Sequence, residues 1–258
     1  MCGEIEMKKL FETEIMANFE IAEKIFRLEI YSPELAQLAK AGQFIEVQLS
    51  DEFTLRRPFG VASTKNDTIK MFYRVVGHGT KFLSQRNFGE ILNVMGPLGN
   101  GFNCNVEGKI LLVGGGMGLA PLLCAAEKFN DVDILMGGKT ADEVMFWEGE
   151  FVESVGEMFV TTDDGSLGEK GFVTNFLPEI LQAENYSAVF TCGPEIMMRN
   201  VAMEVLANDI PCQVSFERRM ACGLGACLSC SVDTIHGRKK VCKDGPVFDA
   251  AEVFTDLF

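Results

Sequence analysis

Over the N-terminal third of the chain, apolar side chains fall in short alternating or continuous runs. Ile25-Phe26-Arg27-Leu28-Glu29-Ile30, Phe44-Ile45-Glu46-Val47-Gln48-Leu49 and Ile69-Lys70-Met71-Phe72-Tyr73-Arg74-Val75-Val76 are of this kind, with Gly, Pro, Asn and Asp between them. Short runs punctuated by turn formers predict an antiparallel β-barrel over residues 1–103. From 104 to 210 the pattern changes. Apolar strands are predicted at Lys109–Val113, Val132–Met136, Met158–Thr161 and Ala188–Thr191, and helices at Leu119–Phe129, Thr174–Ala183 and Glu195–Asn208. Strands alternating with helices imply a parallel α/β sheet. Residues 211–258 carry little helical periodicity and form a small third domain. The expected fold class is therefore α/β plus β.

Composition narrows the function classes. With 47% apolar and 23% charged residues in 258, the chain can bury a proper core and is not disordered. Its formal charge of −14 repels phosphate backbones and anionic lipid, which excludes nucleic acid and the membrane surface as partners. No apolar run reaches the roughly 18 residues of a membrane span. The N-terminus, Met1-Cys2-Gly3-Glu4-Ile5-Glu6, lacks the basic-then-apolar order of a secretion signal, so a cytoplasmic location is expected. In that reducing compartment the nine cysteines are not a disulfide set. Cys2, Cys104, Cys124, Cys192 and Cys212 are scattered and read as small apolar residues.

The other four cysteines crowd one end. Met220-Ala221-Cys222-Gly223-Leu224-Gly225-Ala226-Cys227-Leu228-Ser229-Cys230 has C-x4-C-x2-C spacing, and Cys242 follows. This is the spacing of a plant-type [2Fe-2S] site with four thiolate ligands. Gly223 and Gly225 permit the backbone turns that aim amides at sulfur, and Ala221, Ala226 and Ser229 leave room for sulfide. Four thiolates also suit tetrahedral zinc, although zinc sites usually pair two short knuckles and only one is present. Iron–sulfur is the better fit, with zinc the alternative.

Two further stretches point to anionic ligands. Leu55-Arg56-Arg57-Pro58-Phe59-Gly60 follows a strand, and Tyr73-Arg74-Val75-Val76-Gly77-His78-Gly79-Thr80 and Gly96-Pro97-Leu98-Gly99-Asn100-Gly101-Phe102 come after it. An arginine fork suits phosphate oxygens, and a glycine turn at a helix start offers free amides. Val113-Gly114-Gly115-Gly116-Met117-Gly118-Leu119 joins a strand to a helix, as a dinucleotide turn does. The acid that a Rossmann fingerprint wants about 20 residues on is missing, because that zone reads Met136-Gly137-Gly138-Lys139. His78 and His236 form no triad or metal pair, and no hydrolase motif occurs.

The barrel motifs resemble the flavin domain of the ferredoxin reductase superfamily, with Arg57-Pro58-Phe59-Gly60 as the matching stretch. Relatives often have serine at the fourth position; Gly60 has no hydroxyl, and a backbone amide is the available substitute for the contact to flavin N5. The glycine turn resembles that superfamily's nicotinamide domain. Its late Cys-Gly-Pro matches Thr191-Cys192-Gly193-Pro194, which implies a Cys192 close to nicotinamide and flavin; a buried strand-end thiol is the other reading.

Over nearly its whole length the chain resembles the electron-transfer subunits of the NAD-dependent (class 1B) dihydroorotate dehydrogenase family. The most specific stretches are Met220–Cys230 and Val241-Cys242-Lys243-Asp244-Gly245-Pro246-Val247-Phe248. The resemblance implies FAD on Arg57, Pro58, Phe59 and Gly60, joined by Tyr73, Arg74 and Val75, with Gly79 and Thr80 at its phosphates. It implies NAD⁺ at the turn of Gly114, Gly115, Gly116 and Gly118, and a [2Fe-2S] cluster on Cys222, Cys227, Cys230 and Cys242. It also implies an FMN-containing dihydroorotate dehydrogenase catalytic subunit as partner, in a heterotetramer of two plus two serving pyrimidine (UMP) biosynthesis. A reductase subunit of a hydrogenase or of a ferredoxin:NADP⁺ transhydrogenase is the near alternative. A zinc-containing nucleotide-binding module is the distant one.

Overall fold

The computed structural model describes residues 9–254. Strands β1 (Lys9–Ala22) and β2 (Ile25–Tyr31) pair as an antiparallel hairpin. Helix α1 (Pro33–Leu38) begins on a proline, where a missing amide costs nothing. Then come β3 (Phe44–Gln48), β4 (Arg57–Gly60), β5 (Thr68–Arg74), α2 (His78–Leu83) and β6 (Ile91–Leu98). The six strands run in the order β4-β3-β6-β1-β2-β5. The sheet curls until its edges meet: past β4, the Ala62 amide donates to the Lys70 carbonyl at 2.9 Å and the Lys70 amide to Ser63 at 3.0 Å. Closure removes the free edges. Alternation then buries one face completely, including Ile15, Leu28, Ile45, Val47, Ile69 and Met71.

The second layer system is built on β7 (Ile110–Gly115), α3 (Leu119–Ala126), β8 (Val132–Gly138), α4 (Ala141–Phe151), β9 (Met158–Thr162) and β10 (Glu169–Lys170). It continues with α5 (Val173–Ala183), β11 (Ala188–Cys192), α6 (Glu195–Ala207) and β12 (Cys212–Ser215). After β13 (Ser231–Thr234) and β14 (Gly237–Lys240), which pair only with each other, β15 (Val247–Asp249) and α7 (Ala250–Val253) end the described chain. The sheet order is β10-β9-β8-β7-β11-β12-β15, parallel except for β15. Its strands are continuous apolar runs because helices cover both faces. β7 lies between β8 and β11, so the winding direction reverses there. In such sheets the crevice beyond the strand ends at the reversal is where ligands bind. β12 and β15, from beyond residue 210, complete this sheet, and the segment between them forms the cysteine lobe.

The predicted strands and helices are found within a few residues of their expected ends. Helix α4 was not among them. It carries Val144, Trp147 and Phe151, all fully buried, at helical spacing. Trp147 packs on Phe72 of the barrel with ring centroids 4.7 Å apart, and Glu150 reaches Lys70 at 2.9 Å and Arg27 at 3.2 Å. This helix therefore locks barrel and sheet together. Among the described residues no helix is long and apolar enough to cross a membrane.

Candidate functional site

Two clefts adjoin here, one between barrel and sheet and one within the sheet layer itself. The first, of about 350 Å³, is walled by Pro58, Phe59 and Gly60 of β4, Tyr73 and Arg74 of β5, Thr80, and Cys192 at the end of β11. Seven of the residues assigned to flavin and nicotinamide from sequence thus face one space. Arg57 lies behind it. Its guanidinium stacks on Phe53, 5.7 Å from the ring centroid, and presses on Gly79, where a Cβ would stand 3.0 Å from Nε. Gly79 is needed because no side chain fits between Arg57 and α2. The Thr80 hydroxyl accepts from the Val76 amide at 2.9 Å, which fixes the turn at the start of α2. Val75 is not on the cleft wall; its amide donates to the Lys24 carbonyl at 2.8 Å within the barrel. Arg56 is held instead on the barrel wall by Gln48 and Asn93.

The second cleft, of about 670 Å³, opens beyond the ends of β7, β8, β9 and β11. Gly115, Gly116 and Gly118 line it. Gly116 has φ +56° with nothing within 4 Å of a Cβ position, so its backbone is bare toward the cleft. At Gly118 a Cβ would stand 2.5 Å from the Cys192 carbonyl oxygen; close approach of two backbones excludes every other residue there. Gly114 does a different job, since a Cβ would meet Leu119 at 2.4 Å: it lets α3 pack on β7. The buried hydroxyl of Thr161 borders this cleft and has no partner, a polar atom left for a ligand. No acid follows β8 directly, but Glu143 of α4 and Asp163 after β9 both line the cleft. Glu143 accepts from the Lys139 amide at 3.1 Å and pairs with Arg74 of the first cleft at 3.1 Å. Met117 and Glu217 line both clefts.

Cys192 is a buried thiol at a strand end that also reaches the first cleft. Burial pushes its pKa well above the ordinary thiol value. Cys124 and Cys212 are buried, Cys104 is half-buried, and Cys2 lies outside the described residues.

The four clustered cysteines come as two pairs. Cys222 neighbours Cys227 through a thiol contact, and the Cys242 amide donates to the Cys230 sulfur at 3.4 Å. The Leu224 amide points at Cys222 (3.4 Å) and that of Gly225 at Cys242 (3.1 Å). Burial opposes ionisation of Cys222, but the amides of Leu224, Cys227 and Ala226 and the Cys227 side chain outweigh it, and the pKa falls to about 6. Burial and the adjacent Cys230 push Cys242 up to about 12. Among the described residues no three His, Cys, Asp or Glu side chains converge on a single metal-ion position. One zinc needs such a point. Two pairs of thiols with amides aimed at sulfur fit two irons instead, each held by two thiolates.

The Gly96–Phe102 stretch leaves β6 and, at Gly99 and Asn100, meets the end of the cysteine lobe rather than the flavin cleft. The Asn100 amide donates to the Gly245 carbonyl at 2.6 Å, and its side chain donates to Asp244 at 3.0 Å and Lys243 at 3.3 Å. Gly99 must be glycine, having φ +73° and a Cβ position 2.5 Å from the Gly245 oxygen.

Comparison with known proteins agrees with this geometry. Residues 217–254 match the family model of the iron-sulfur cluster binding domain of dihydroorotate dehydrogenase B. The dihydroorotate dehydrogenase B (NAD(+)) electron transfer subunit of Desulforamulus reducens is 35% identical, with 96% of this chain and 99% of the relative aligned. That of Clostridium acetobutylicum is 38% identical over 96% and 98%. The chain belongs to the family of dihydroorotate dehydrogenase B electron transfer subunits. It is an oxidoreductase subunit with an iron–sulfur domain on a flavin-reductase fold. Among solved structures, an NADH-dependent reduced ferredoxin-NADP oxidoreductase superposes with a TM-score of 0.85 at 34% identity, covering 95% of this chain and 91% of that one. A ferredoxin NADP+ reductase from Neisseria gonorrhoeae shares the fold, with a TM-score of 0.63 at 18% identity over 77% and 91%.

Proposed function

We propose that this electron transfer subunit receives electrons at its cysteine lobe from an FMN-containing subunit that oxidises dihydroorotate, and delivers them across its flavin cleft to NAD⁺. The observation that carries the reading is the shared wall. Met117 and Glu217 border both clefts, and the chain runs from Glu217 straight into the cysteine loop. Three binding places thus meet around one short segment. A flavin held there supplies the exchange between one-electron and two-electron chemistry, which neither a [2Fe-2S] cluster nor a nicotinamide offers.

The chain's own residues divide the work. Arg57, Pro58, Phe59, Gly60, Tyr73, Arg74 and Val75 hold FAD, with Gly79 and Thr80 toward its phosphates. Gly115, Gly116 and Gly118 lie under the dinucleotide, Gly116 with its backbone bare, and Gly114 seats the helix behind them. Cys192 closes the floor between them and keeps its proton. Cys222, Cys227, Cys230 and Cys242 hold the cluster. Cys227 is exposed, and beside it Leu228 is 60% and Leu224 45% exposed, an apolar rim suited to a partner subunit. Residues 1–103, 104–210 and 211–258 serve as flavin, nucleotide and cluster domains. The assembly is two plus two with the FMN subunit, in the cytoplasm. The transhydrogenase and hydrogenase readings are not favoured, because relatives aligned over the whole chain carry the dihydroorotate dehydrogenase B name.

The test is reconstitution. The purified pair is expected to form NADH from dihydroorotate and NAD⁺. The isolated chain is expected to oxidise NADH with artificial acceptors and to leave dihydroorotate untouched. Dihydroorotate oxidation by the isolated, FMN-free chain refutes the division of labour.

A further inference from the structure

Alternation along β3 turns Ile45 and Val47 into the barrel and Glu46 outward, to the side that meets water in a free barrel. Yet Glu46 is 1% exposed. Acids rarely lie so deep. What covers it is the cysteine loop. A Cβ at Gly223 would stand 2.7 Å from the Glu46 carboxyl carbon and 2.8 Å from each of its oxygens. The carboxyl therefore lies directly against the main chain between Cys222 and Leu224. Gly223 also has φ +62°, so its turn and its neighbour both demand glycine.

The same strand borders the flavin cleft. Across the β3–β4 ladder Glu46 faces Pro58, and Phe44 lies two positions before it on the same face. Pro58 and Phe44 both line the first cleft. Glu46 thus stands on the barrel wall between the cysteine loop and the flavin cleft.

What a carboxylate does there follows from its charge. Uptake of one electron makes a four-thiolate iron–sulfur group more negative, and its reduction potential depends on nearby charge and on hydrogen bonds to sulfur. The Leu224 amide, 3.4 Å from the Cys222 sulfur, eases that uptake. A carboxylate against the same turn opposes it, and burial makes its charge act more strongly than it would at the surface.

We propose that Glu46 sets the driving force of the first internal step: its buried carboxylate disfavours the reduced cluster, so the electron passes to the flavin side rather than resting in the lobe. This goes beyond the function given above and rests on its reading of the cysteine lobe as the [2Fe-2S] site.

The experiment uses the FAD- and iron-loaded complex with its partner subunit. A potentiometric titration followed by electron paramagnetic resonance reads the fraction of reduced cluster. Glu46→Gln keeps the shape and removes the charge. It is expected to shift the reduction equilibrium about tenfold toward the reduced form, or about 59 mV for a one-electron couple. Glu46→Asp keeps the charge and is expected to shift it less than threefold. An unchanged or opposite shift in Glu46→Gln overturns the proposal, as does an equal shift in Glu46→Asp, which marks a packing effect. Loss of iron from Glu46→Gln also overturns it, because the carboxyl is then a prop for the loop. A wild-type complex that holds FAD but no iron overturns the reading of the lobe itself, a failure distinct from the others.

Discussion

The cysteine loop gathers three of the four clustered cysteines within nine residues, Cys222 to Cys230, and aims its own amides at the sulfurs of Cys222 and Cys242. The flavin cleft draws its walls from β4, β5, the turn after β7, the end of β11 and the segment after β12. The first two belong to the barrel and the other three to the sheet, and the docking of barrel on sheet brings the two sets together. The difference separates two kinds of failure. Damage in the loop removes one site and spares the fold, while damage at the turn after β7, which borders both clefts, affects flavin and nucleotide together.

The largest expected effect breaks the loop alone. Cys227→Ser should remove the cluster and cut dihydroorotate-to-NAD⁺ turnover by about 100-fold or more, as loss of a ligand does. Iron and flavin analysis should show FAD retained, and loss of FAD as well would erase the contrast drawn here. Gly118→Val attacks the cleft, placing a side chain 2.5 Å from the Cys192 oxygen and 2.6 Å from the Gly193 nitrogen. A cost of about 3 kcal/mol is expected for such overpacking. That lowers Tm by roughly 6–12 °C in a chain of this size, read by thermal unfolding, with flavin and nucleotide binding failing together.

Asp133 tests the sheet far from both sites. It accepts from Lys109 at 2.8 Å, Tyr186 at 2.8 Å and the Glu157 amide at 2.9 Å. Burial alone would raise its pKa, but these donors prevail and hold it below the ordinary value. A carboxyl lowered on folding stabilises the protein above its unfolded pKa, near 3.9, and the gain is lost as pH falls through the folded value. Asp133→Asn should therefore cost about 2 kcal/mol at pH 7 in urea unfolding, with the gap to wild type narrowing at pH 3. Iron content should stay unchanged.

The Arg74–Glu143 pair joins the two clefts but is partly solvated. A double-mutant cycle with Arg74→Ala and Glu143→Gln should give less than about 1 kcal/mol of coupling, falling with salt. Gly60→Ser should have the smallest effect. Its Cβ would meet only Pro121, at 3.8 Å, so Tm should move by no more than about 2 °C, while the flavin absorption band reports a hydroxyl arriving in the cleft.

The same contrast explains what could be read beforehand. The iron–sulfur domain was legible because a metal site of this type is wrapped by one short stretch, and its cysteine spacing survives in the sequence. Strands β2, β3, β5, β7, β8, β9 and β11 were legible from apolar runs, and the nucleotide turn from its glycines. Helix α4 was obscured by Asp142, Glu143, Glu148, Gly149 and Glu150, which blur the period that Val144, Trp147 and Phe151 keep. The rest depends on apposition. Glu143 and Asp163 meet at a cleft where an acid was sought after β8, Asn100 reaches a tail more than 140 positions away, and Glu217 gains its place only when two clefts share a wall. No local pattern encodes such meetings.

The clasp between Asn100 and residues 243–245 fixes more than a loop. It is mostly main chain on the cluster side, so the gap an electron must jump between the metal lobe and the barrel is set by backbone geometry. Surface substitutions can therefore accumulate in the lobe, retuning which protein it meets, without altering the length of that jump. Tunnelling rates fall steeply with separation, and a rigid spacer of this sort lets interface and conductance evolve separately.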